Sequence, residues 1–117
     1  MSPDLPRPIR AAIDEALRLI GGLYGSRMER LVLYGSVARG DSREDSDVDL
    51  LVVLSEPIDT LAEIRKLAPI AIDIWSRFEV DLQLMPFSAV RYADPYHPFS
   101  VNVRQDAIEV DYAGARA

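Results

Sequence analysis

Five consecutive aliphatic residues, Leu50-Leu51-Val52-Val53-Leu54, entered through Asp47-Val48-Asp49 and left through Ser55-Glu56-Pro57, constrain this chain more than any other feature. Successive side chains of a strand point to opposite faces. An uninterrupted apolar run therefore has to be covered on both sides, which predicts a central strand inside a layered sheet. The 117 residues are enough for one such core and hardly for two, so a second independent catalytic or substrate-holding domain is not expected. A hydrophobic content of 49% and a charged content of 27% exclude disorder and a collagen-like fibre.

The remaining elements follow from periodicity. Ile9, Ile13, Ala16, Leu17, Ile20 and Leu23 recur at helical spacing, with Pro8 in the first turn and Gly21-Gly22 weakening the end. Residues 1–8, with three prolines, read as a flexible lead-in, residues 9–112 as one domain and 113–117 as a tail. Arg30 to Tyr34 is a short apolar strand ending at Gly35, and the polar stretch 35–46 has room for one helical turn after Ser36. Thr60 and Glu63 have the spacing of a capping box, and Leu61, Ile64, Leu67 and Ala68 then mark one helical face. Pro69 predicts a kink or restart before Ala71, Ile72 and Trp75 continue that stripe. Residues 78–84 alternate as a strand, with Phe78, Val80, Leu82 and Leu84 on one face and Glu79, Asp81 and Gln83 on the other. Tyr92 to Pro98 reads as a loop, Phe99 to Gln105 as a short helix and Ala107 to Tyr112 as a last strand, which makes an α+β (α/β-like) domain.

With 13 Lys and Arg against 19 Asp and Glu, the net charge of −6 argues against a broad nucleic-acid-binding face. There are no cysteines, so disulfides and thiolate metal sites are excluded. No apolar run approaches the roughly 18 residues of a membrane span, and the N-terminus has no hydrophobic signal core, so a cytoplasmic location is expected.

Asp47 and Asp49 lie two apart at the start of a strand, which turns both carboxylates to one side, where they repel unless a proton or cation intervenes. A solvated turn is the plain alternative for such a pair. Its position before the most apolar stretch of the chain, where unpaired charge is costly, argues for a site. Asp81 adds a third carboxylate if its strand is a neighbour, and an all-oxygen set suits Mg²⁺, which commonly carries phosphate. His97, the single histidine, sits between prolines in a loop and is expected to be a surface or packing residue. Gly35-Ser36 ends the preceding strand, where a glycine lets backbone approach a ligand and a hydroxyl can donate to phosphate. Arg39 and Arg43 are either phosphate partners or solvated loop arginines.

The composite of Gly35-Ser36-Val37-Ala38-Arg39-Gly40 and Asp45-Ser46-Asp47-Val48-Asp49-Leu50, with Asp81 as a separate third carboxylate, resembles the polymerase-beta-like nucleotidyltransferases, and among them the minimal nucleotidyltransferases, or MNT proteins. The resemblance implies a small mixed sheet with helices packed on one face. It implies transfer of a nucleoside monophosphate, with a leaning to AMP from ATP, to a hydroxyl with loss of pyrophosphate. Gly35 and Ser36 would then meet the triphosphate, with Arg39 and Arg43 beside it, while Asp47, Asp49 and Asp81 would be the catalytic, Mg²⁺-binding carboxylates and Asp81 the general base. Many minimal members resemble antitoxins encoded beside an all-helical HEPN ribonuclease, which the active ones silence by adding AMP to a tyrosine. A HEPN toxin is thus the expected partner, in a homo- or hetero-oligomer, with neither nucleic acid nor membrane bound directly. Two other readings stay open: a non-catalytic antitoxin that masks a basic surface with its −6 charge, and a free-standing transferase for a small molecule.

Overall fold

The computed structural model describes residues 5–40 and 47–110. Helix α1 (Arg7–Tyr24) buries Ile9, Ala12, Ile13, Ala16, Leu17 and Ile20 along one stripe, runs through Gly21-Gly22 and stops at Gly25, whose φ of 57° reverses the backbone. Strand β1 (Met28–Tyr34) leads directly into the five-residue α2 (Gly35–Arg39), and β2 (Val48–Leu54) follows. Helix α3 (Thr60–Phe78), β3 (Leu82–Ser88), α4 (Ala89–Ala93), α5 (Pro98–Asp106) and the two-residue β4 (Ile108–Glu109) complete the order.

The sheet order is β3-β2-β1-β4. β1 runs antiparallel to β2 and to β4, while β2 runs parallel to β3, so the sheet is mixed. Val48, Leu50, Val52 and Leu54 pack with Leu31 and Leu33 against the long helices α1 and α3. Leu51 and Val53 point the other way and join Val32, Val103 of α5 and the partly buried Ala89 and Tyr92 of α4. β2 is therefore an inner strand covered on both faces, as its unbroken apolar run requires, and the two long helices share one face of the sheet. No helix of the described residues is long and apolar enough to cross a membrane.

Several local expectations are corrected. The N-cap of α3 is Asp59, whose side chain accepts from Ala62 N at 3.2 Å. Glu63, read from sequence as half of a capping box with Thr60, is instead 3% exposed and accepts from Tyr24 Oη at 3.1 Å and Arg27 Nη2 at 3.3 Å. Pro69 does not restart α3, which runs unbroken from Thr60 to Phe78. Both Pro69 and Arg65, whose carbonyl loses its intrahelical partner, lie on the exposed side where water replaces that bond. Phe78 is the last residue of α3, and Glu79 closes the helix at a φ of 55°, so the strand starts at Leu82 and extends through Pro86. A proline fits there because β3 is an edge strand, paired with β2 alone. Helix α4 takes in Tyr92 and Ala93 of the expected loop, and of the expected strand 107–112 only Ile108 and Glu109 are in strand β4, with Val110 N still donating to the Leu31 carbonyl at 2.8 Å. Asp111 and Tyr112 lie outside the described residues.

Candidate functional site

The strand register brings Gly35 and Asp49 together. Tyr34, the last residue of β1, pairs with Asp49 of β2, which pairs in turn with Gln83 of β3. By alternation these side chains stand on the face opposite α1 and α3. Gly35 begins α2 at a φ of 78°, and a Cβ built on it would fall 2.5 Å from Asp49 Oδ2. The glycine is thus required twice, by its left-handed backbone and by the carboxylate in the space a side chain would occupy. Gly40 ends α2 in the same left-handed region, its N–H donating to the carbonyl of Val37 at 3.2 Å. Ser36 follows Gly35 in the first turn of α2.

Asp47 immediately precedes β2 and has the same parity as Asp49. Burial, and then the nearby Asp47 charge, push the Asp49 carboxyl above the usual carboxylate range. Burial and then Asp49 likewise push the Tyr34 phenol up. Asp81 lies one residue before β3, where its carbonyl accepts from Val48 N at 2.9 Å and holds it beside the entry of β2. Its Oδ1 accepts from Gln83 Nε2 at 2.9 Å. Among the described residues no three His, Cys, Asp or Glu side chains gather closely enough to form a metal site. Two carboxylates on one side, one of them destabilised by the other, nevertheless fit Mg²⁺, which is typically held by one or two protein carboxylates together with substrate phosphates.

Arg39 closes α2 with Nη1 3.7 Å from Asp106 Oδ2 of α5. Arg43 lies outside the described residues. A cleft of about 340 Å³ opens beside Gly35, between Tyr34 and Arg39 on one side and Phe99, Asn102 and Asp106 of α5 on the other. Phe99 meets the Tyr34 ring edge-on, with centroids 6.1 Å apart. Tyr34, Gln83 and α5 were not singled out from sequence. Gln83 carried a readable signal, its spacing of two from Asp81, and Tyr34 adjoins Gly35, but only tertiary structure brings α5 over the end of β1. His97 caps α5, with Nδ1 3.3 Å from Ser100 N, and lies edge-on to Phe87.

Comparison with known proteins gives concordant matches. The family described as "Nucleotidyltransferase domain" matches residues 22–107. Two proteins of Methanocaldococcus jannaschii, named "Putative protein adenylyltransferase MJ0141" and "Putative protein adenylyltransferase MJ0604", are 41% identical over 59 residues and 43% identical over 42 residues. These matches take in 50% and 36% of this chain, and 59% and 42% of the relatives, less than two thirds of either. A solved structure described as a toxin–antitoxin with AMP-PNP superposes with a TM-score of 0.57 over 89% of this chain and 73% of its own, at 19% identity. At that identity the likeness shows a shared fold.

Proposed function

The chain belongs to the nucleotidyltransferase domain family, and on that premise we propose that it transfers AMP from ATP to a hydroxyl of a partner protein, acting as the antitoxin of a HEPN ribonuclease toxin. The juxtaposition of Gly35 and Asp49 supports this most directly, because it sets a side-chain-free backbone turn against a carboxylate pair that favours a cation. The names of the M. jannaschii relatives favour a protein acceptor, and the AMP-PNP of the toxin–antitoxin structure of like fold favours ATP as donor.

In this reading Gly35 and Ser36 receive the triphosphate, the Ser36 hydroxyl donating to a phosphate oxygen, with Arg39 and Arg43 offsetting further charge. Asp47 and Asp49 would hold Mg²⁺, joined by Asp81 when nucleotide is present. The ion, when bound, supplies charge compensation to the phosphate oxygens. Gln83 anchors one oxygen of Asp81, leaving the other to take the proton of the acceptor hydroxyl. The acceptor oxygen then bonds to the α-phosphorus as the bond to the bridging oxygen of the β-phosphate breaks, and pyrophosphate leaves.

Incubation with the candidate toxin, ATP and Mg²⁺ followed by intact-mass measurement of both chains tests the proposal. A mass gain of whole AMP units on the toxin is expected, and Asp81→Ala should abolish it while the two proteins still associate, because a group acting mainly in the transition state changes rate more than ground-state binding. Full protection of cells by Asp81→Ala, with the toxin unmodified, would instead establish masking by the acidic surface.

A further inference from the structure

The apolar stripe expected to bury α3 is divided in the structure. Leu67 and Ile74 face the core, while Leu61, Ile64, Ile72 and Trp75 stand 58%, 41%, 67% and 56% exposed. With the exposed Ala68 they form one continuous line on the outer side of the helix, their spacings of 3, 4, 4 and 3 residues read directly from the sequence. No element of the described residues covers this line. The charges on another flank of α3 are engaged elsewhere: Lys66 pairs with Glu63, and Arg77 with Glu15 of α1 and with Asp73.

The line is symmetric about Ala68. Large apolar side chains fall seven and four residues before it, Leu61 and Ile64, and four and seven after it, Ile72 and Trp75. A two-fold axis at Ala68 would lay an antiparallel copy of α3 on the first, with the Leu61/Ile64 end of each helix on the Ile72/Trp75 end of the other. The smallest side chain would stand at the crossing, where helices approach closest. Arg65 borders the line, but the axis would keep it about 9 Å from its symmetry mate along the helix, roughly a Debye length at physiological salt. The four large side chains leave roughly 400 Å² of apolar surface open, at the level of the largest patch on an ordinary monomer. Two such stripes would bury about 800 Å² before their flanks are counted, short of the roughly 1,000 Å² of a stable interface and so in keeping with a weak, reversible dimer.

We infer that the exposed stripe Leu61-Ile64-Ala68-Ile72-Trp75 is a self-association surface through which two copies of this chain pair, α3 against α3, antiparallel about Ala68. The carboxylates and Gly35 stand on the opposite face of the sheet, so pairing leaves both candidate sites open.

Sedimentation across a micromolar concentration series should show a reversible monomer–dimer equilibrium. The emission of Trp75, the chain's single tryptophan, should shift to the blue as the dimer fills. Ile72→Glu should give a monomer at every concentration whose melting temperature is independent of concentration and equals that of the wild type diluted to the monomer, since its side chain is exposed in the monomer. The chain has no cysteine, so introduced ones report the register without background. Oxidised Ala68→Cys should form a covalent dimer, whereas Leu61→Cys alone should not, because antiparallel symmetry keeps the two copies of that position about 21 Å apart. A mixture of Leu61→Cys with Trp75→Cys should cross-link. A wild-type monomer throughout the series, a dimer that survives Ile72→Glu, or Leu61→Cys linking to itself as readily as Ala68→Cys would overturn the inference.

Discussion

At the scale of single residues, Gly35 and Asp49 are the most tightly coupled pair of the site. Gly35→Ala combines a left-handed residue with a Cβ 2.5 Å from Asp49 Oδ2. The backbone part costs about 1–2 kcal/mol, and displacing the carboxylate adds to it. In an Asp49→Ala background the second part disappears and only the backbone cost remains, so denaturant unfolding of the four proteins should show the double variant less destabilised than the sum of the single ones by about 1 kcal/mol. Additive effects would show that the carboxylate moves aside without cost. A second expectation concerns cation and nucleotide. Mg²⁺ with a non-hydrolysable ATP analogue should raise the melting temperature of the native chain, and chelation of the metal should remove most of that gain. Asp47→Asn/Asp49→Asn should lose it as well, and equal stabilisation of both proteins would dissociate the pair from metal binding.

At the scale of elements, α3 shows how one helix start can carry two jobs. Asp59 satisfies the Ala62 N–H, which frees Glu63 to turn inward and tie α3 to Tyr24 at the end of α1 and to Arg27 ahead of β1. Asp59→Ala should cost about 1 kcal/mol, the usual loss of an N-cap, whereas Thr60→Ala should change stability little because Asp59, not Thr60, is the cap. Thermal denaturation of the two variants checks the assignment, and the opposite ranking would restore Thr60 as the cap. A Ser/Thr-x-x-Glu pattern records only spacing, so it cannot tell a glutamate that reaches back to its own helix from one that reaches across to another.

At the scale of the whole molecule, the polar contacts that tie α1 to α3 give stability a pH dependence at both limits. The Arg18 and Arg77 hydrogen bonds to Glu15 hold its carboxyl at about 2, against an ordinary 4.5. Burial alone would raise Glu63, yet its bonds from Tyr24 and Arg27 and the charges of Arg27 and Lys66 leave it below the usual range. Both depressed carboxylates contribute stability that is complete above about pH 4.5 and is lost as the pH falls through their folded values. Tyr24 has the opposite sign: burial, then its bond to Glu63, push its phenol from 10.0 to about 12, so its contribution is present below pH 10 and lost as the pH rises towards 12. Stability measured against pH should therefore show a plateau between these limits. Glu15→Gln should flatten the acid limb and Tyr24→Phe the alkaline one; unchanged limbs would mean that these contacts contribute nothing to holding α1 against α3.

The sequence by itself determined the inner strand, the buried stripe of α1 as far as Ile20 though not Leu23, which is exposed, and the short helix after β1, because those features depend on local periodicity and on what five apolar residues must hide. It also marked Gly35, Asp47, Asp49 and Asp81, since their spacing around strand ends survives without knowledge of the pairing. Tertiary structure alone decided that Tyr34, Asp49 and Gln83 form one row across three strands, because register depends on contacts distant in the chain. It also decided which apolar line of α3 would be buried. Of the expected core face Leu61, Ile64, Leu67, Ala68, Ala71, Ile72 and Trp75, only Leu67 is buried, because α1 and the sheet engage the side carrying Glu63, Leu67 and Ile74. The helix carries more apolar surface than one side can bury, and only the packing of its neighbours selects which side that is.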